Sequence, residues 1–223
     1  MNDVSVWDSA AKVVAQHKVI NPALRLNDAT SRVTISGNTI TFKTTDSTTN
    51  STGAYVLQRK DIDDLANINN NVLFSQDILI KSMSRGEKTG TFDDIANNHG
   101  YTIMLEFADV KKAFSTMVAP ADDEGNLSLF VFKNDSIALG KKIGEKFNLS
   151  LLFCADGSLK VYVDGVLKGT VANARANKGV YGTAEGGNIV VLMKYQDAVC
   201  NAENPAEKSV FVPFIYKLKE LAW

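Results

Sequence analysis

Phe147-Asn148-Leu149-Ser150-Leu151-Leu152-Phe153-Cys154-Ala155-Asp156-Gly157-Ser158-Leu159-Lys160-Val161-Tyr162-Val163-Asp164-Gly165-Val166-Leu167-Lys168-Gly169 decides the fold class. Its first seven residues are rich in leucine and phenylalanine, and Leu159 to Val163 alternates apolar and polar side chains. Both patterns suit strands. Asp156-Gly157 and Asp164-Gly165 are turn dipeptides, because the left-handed backbone of a tight hairpin suits glycine with little strain. A strand, a turn, a strand, a second turn and a short third piece follow one another within 23 residues.

Outward from this stretch the same signals recur. Tyr101 to Phe107, Phe114 to Val118, Leu127 to Phe132, Ile189 to Tyr195 and Val210 to Tyr216 carry β-branched or aromatic residues. Asp122-Asp123-Glu124-Gly125-Asn126 and Lys133-Asn134-Asp135 separate some of them. Upstream, Arg32 to Ser36 and Thr39 to Lys43 alternate around Gly37-Asn38, the pattern of a hairpin with a two-residue turn. Gly53 to Gln58 forms a further strand, and Val72 to Phe74 with Ile78 to Ile80 another. Residues 1–22 are the exception: Val6, Ala10, Val13 and Val14 fall at helical spacing, and Asn21-Pro22 ends the segment. Ile62-Asp63-Asp64-Leu65-Ala66-Asn67 and Phe92-Asp93-Asp94-Ile95-Ala96-Asn97 share a pattern that predicts one helical turn each. No low-complexity linker divides the chain. The expectation is one all-β domain over residues 1–223, an antiparallel β-sandwich with a short N-terminal helix and one or two single-turn helices.

The quoted stretch resembles the core hairpin of laminin-G-like, concanavalin A-like jelly-roll domains, in which a strand leads through Asp-Gly into a second strand, here Leu-Lys-Val-Tyr-Val-Asp-Gly. Leu127 to Phe132 and Ile137 to Ile143 resemble that family's middle strands, and Phe211 to Tyr216 its terminal one. The resemblance spans residues 101–216 and leaves 217–223 as a C-terminal tail. It implies a sandwich but no single function, since lectins, glycan hydrolases, adhesion modules and viral coat or fibre components share the fold.

Composition narrows the function classes. The 223 residues carry 24 Lys and Arg against 25 Asp and Glu, a balance that argues against a nucleic-acid binder driven by bulk charge and leaves a local basic patch open. No apolar run reaches the roughly 18–20 residues of a membrane-spanning helix. The opening Met1-Asn2-Asp3-Val4-Ser5-Val6-Trp7-Asp8 lacks the basic and apolar regions of an export signal, so cytoplasmic synthesis is expected. Sequons at Asn50, Asn126, Asn134 and Asn148 then read as chance matches. Cys154, inside an apolar run, and Cys200 read as reduced thiols, Cys154 as a core residue.

Catalytic patterns are weak. A glycosidase on this fold needs paired carboxylates on one strand face. Glu106 and Asp109 are three apart, which on a strand sends them to opposite faces, so Glu106 reads as solvent-facing and no enzyme is expected. Asp61, Asp63 and Asp64, Asp93 and Asp94, and Asp122, Asp123 and Glu124 are oxygen-rich, but none has the spacing of a dedicated calcium loop. No cofactor or metal ligand is assigned, and calcium stays an open alternative.

Two binding hypotheses remain. The first is a non-catalytic bacteriophage virion component, such as a capsid decoration, head fibre or tail protein. It would contact other virion proteins or copies of itself through an apolar docking set: Trp7, Phe214, Tyr216, Leu218, Leu221 and Trp223. The second is a lectin-like module in which Tyr181, with Asn173, Asn177 and Asn188, receives a glycan from a loop running from Asn173 to Asn188.

Overall fold

The computed structural model describes residues 23–26, 33–36, 39–44, 52–58, 71–83, 100–107, 110–131, 136–177, 187–194 and 198–203. They form two antiparallel sheets packed face to face. The first runs, in spatial order, β1 (Ala23–Leu26), β4 (Thr52–Gln58), β14 (Gly187–Lys194), β6 (Tyr101–Phe107), β7 (Lys112–Pro120), β8 (Asn126–Val131) and β9 (Ser136–Lys142), with β13 (Arg175–Asn177) also pairing with β7. The second runs β12 (Val166–Val171), β11 (Leu159–Val163), β10 (Lys146–Phe153), β5 (Val72–Met83), β15 (Ala198–Glu203), β3 (Thr39–Thr44) and β2 (Val33–Ser36). The predicted all-β sandwich is therefore the observed architecture. The predicted helices at 1–22, 62–67 and 92–97, the closing strand at 210–216 and the tail lie outside the described residues.

Alternation positions the core. Phe147, Leu149, Leu151 and Phe153 of β10 face inward beside Ile78, Gln76, Phe74 and Val72 of β5 and, on the other side, Val163, Val161 and Leu159 of β11. The opposing sheet contributes Tyr101, Ile103, Leu105 and Phe107 of β6 with Phe114 and Val118 of β7. Aromatic contacts cross the interface: Phe42 meets Tyr101 edge-on at 5.6 Å between centroids, and Phe114 meets Phe153 at 5.1 Å.

Register irregularities are used to keep apolar residues inside. Cys200 pairs with Ile80 and Val199 with Ser82, so Lys81 is an extra residue in β5. That bulge reverses the alternation and returns Met83 to the buried side. The β11–β12 turn has two residues, Asp164 and Gly165, both at positive φ (50° and 77°), as the Asp-Gly pair predicts.

Three sequence readings change. Glu106 is completely buried rather than solvent-facing, and so are its neighbours on the face away from the second sheet, Met104, Ala113, Ser115 and Met117. Strands buried on both faces lose alternation and read as nearly continuous uncharged runs. Ala113 to Pro120 is such a run. Cys154 is half-buried in the β10–β11 turn rather than in the core, because β10 ends at Phe153. Finally, β15 brings Cys200 into the centre of the second sheet, fully buried beside Phe42 and Ile80.

Candidate functional site

The predicted glycan-binding set is not gathered at one point. Asn173 is an exposed residue at φ 55° in the turn after β12. Asn177 ends β13 opposite Lys112, whereas Asn188 lies in β14 opposite Glu106. The segment from Asn173 to Asn188 is thus not one loop, since its two ends are paired into the first sheet. β6 and β7 stand between β13 and β14, so Asn177 and Asn188 are separated by about 14 Å of sheet at ordinary strand spacing. Tyr181 lies outside the described residues, as do Trp7, Phe214, Tyr216, Leu218, Leu221 and Trp223 of the docking set.

The structure instead concentrates polar side chains on the outer face of the second sheet, where β5 and β10 pair. Ser75, Asp77, Asn148 and Ser150 alternate with the inward-facing core residues, so strand geometry places them in adjacent rows. Asn148 is the hub. Its Nδ2 donates to Asp77 Oδ1 at 2.9 Å and Ser75 Oγ at 3.1 Å, while its Oδ1 accepts from Ser150 Oγ at 2.7 Å. Ser150 Oγ is also 2.8 Å from Ser75 Oγ. The ladder runs from fully buried Ser150 to a solvent rim, where Lys146 Nζ lies 3.5 Å from Asp77 Oδ2. Within this row the donors and acceptors of Ser75, Asp77, Asn148 and Ser150 bond to one another. Its sequence signal was the alternate Asn148 and Ser150 within an apolar run.

A second cluster holds the sandwich edge. Asp164 Oδ1 accepts the Asn148 backbone N–H at 2.9 Å, and Oδ2 lies 2.9 Å from Lys141 Nζ of β9, so one carboxylate ties the two sheets together. Gly169 of β12 completes this seam, because a Cβ there would come within 3.0 Å of Ile137. Burial pulls the Asp164 carboxyl upward, but the Lys141 ammonium and the Asn148 amide outweigh it and hold the group below its ordinary value of 3.8.

The remaining acids and thiols also serve the fold. Asp122 accepts from the Asn126 side chain at 2.6 Å and from the backbone N–H groups of Asn126 and Glu124, which holds its carboxyl down and closes the β7–β8 loop. The Asp122 carboxylate of this oxygen-rich loop is thus engaged by its own loop. Asp156 is lowered by the Ser158 hydroxyl and backbone N–H. Desolvation raises both thiols, Cys200 most strongly, the opposite of what activates a nucleophile.

These lowered carboxyls fix the sign of an acid dependence. Their stabilisation is fully present above the unfolded value near 3.8 and is lost as pH falls through the lower folded values. Melting temperature is expected to fall as the buffer is taken from about pH 5 to about pH 2, more shallowly in Asp164→Asn than in wild type. Parallel curves for the two proteins would remove Asp164 from the account.

No protein-family model and no curated protein matches the chain. Among solved structures, it is similar to the receptor-binding domain of botulinum neurotoxin C/D mosaic serotype (15% identity over 82% of this chain and 42% of that one, TM-score 0.47). It is also similar to a sialidase (11% identity, 81% and 16%, TM-score 0.47) and to the polysaccharide lyase family 18 enzyme aly-SJ02 (10% identity, 85% and 93%, TM-score 0.47). The chain spans less than half of the first two of these structures. None of them bears on what the chain does.

Proposed function

We propose that this protein is a non-catalytic interaction module that works within a larger assembly, a bacteriophage virion being the setting suggested by the sequence. The observation that carries the reading is that, among the described residues, the carboxylate weighed as catalytic, three turn carboxylates and both thiols are committed to the fold. Glu106 is completely buried on the face of the first sheet turned away from the second, Asp122, Asp156 and Asp164 cap turns, and both thiols are desolvated. The apolar closing stretch Phe211 to Trp223 supports docking to a neighbour. Incubation with a panel of polysaccharides is expected to give no cleavage products. Turnover that disappears in a folded Glu106→Gln variant would overturn the reading.

The Ser75–Asp77–Asn148–Ser150 ladder favours a second reading, a lectin-like module. On a glycan array, binding that Asp77→Ala abolishes without lowering the melting temperature would establish it.

A further inference from the structure

We draw no further inference here: the strongest candidate, the buried outer face of the first sheet formed by Met104, Glu106, Ala113, Ser115 and Met117, carries none, because nothing among the described residues shows what covers it.

Discussion

Phe114→Ala is expected to cost about 3–5 kcal/mol, the range for emptying a buried aromatic site. Phe114 is 1% exposed and faces the second sheet from β7. Its ring lies 5.1 Å from Phe153 on that sheet and 6.4 Å from Phe107 on its own, and the Arg175 guanidinium stands 5.9 Å from its centroid. Truncation removes contacts to both sheets at once, and two strand-mounted rings have little freedom to collapse into the space. Against a total stability of about 5–15 kcal/mol, this loss brings the fold near its threshold. The measurement is chemical denaturation: the midpoint should drop steeply while the slope is unchanged. A loss below about 1 kcal/mol would mean that the sheets repack around the void, contrary to the close packing inferred here.

The elements legible in the sequence are those whose local signals agree with their environment. Leu159 to Val163 alternates, ends at Asp164-Gly165, and forms a strand entering a two-residue turn. Arg32 to Lys43 likewise yields the β2–β3 hairpin. Glu106 departs from the expectation of one wet face because both faces of its strand are buried. The corrective signal was present in Ile103-Met104-Leu105, apolar at both parities, and in the uncharged run Ala113 to Pro120. Strand β15 was missed because Ala198-Val199-Cys200-Asn201-Ala202 is short and modestly apolar. Its burial comes from β3 and β5 on its two sides, which is tertiary information. The candidate site shows the same division. Asparagines near one another along the chain, Asn177 and Asn188, end on different strands. Ser75 and Asn148, far apart in sequence, meet only because β5 and β10 pair.

A polar pair inside the core makes the second large prediction. Tyr101 of β6 is 0% exposed and Gln76 of β5 is 3% exposed, and the Tyr101 hydroxyl donates to Gln76 Oε1 across the sandwich. A carboxamide among Phe74, Ile78 and Leu149 would be costly without hydrogen bonding. Tyr101→Phe keeps the ring and its edge-on contact with Phe42 while removing the donor, and is expected to cost about 1–3 kcal/mol. Gln76→Leu withdraws the acceptor from the hydroxyl and should cost a similar amount. The double variant replaces both partners with apolar groups, so its loss should be well below the sum of the two, because neither polar atom is then left buried without the other. Denaturation of the four proteins closes the cycle. Strictly additive losses would mean that the bond contributes nothing to stability. A large coupling would make it a directional link between the sheets, one that fixes how β5 faces β6 where apolar contacts alone would tolerate sliding.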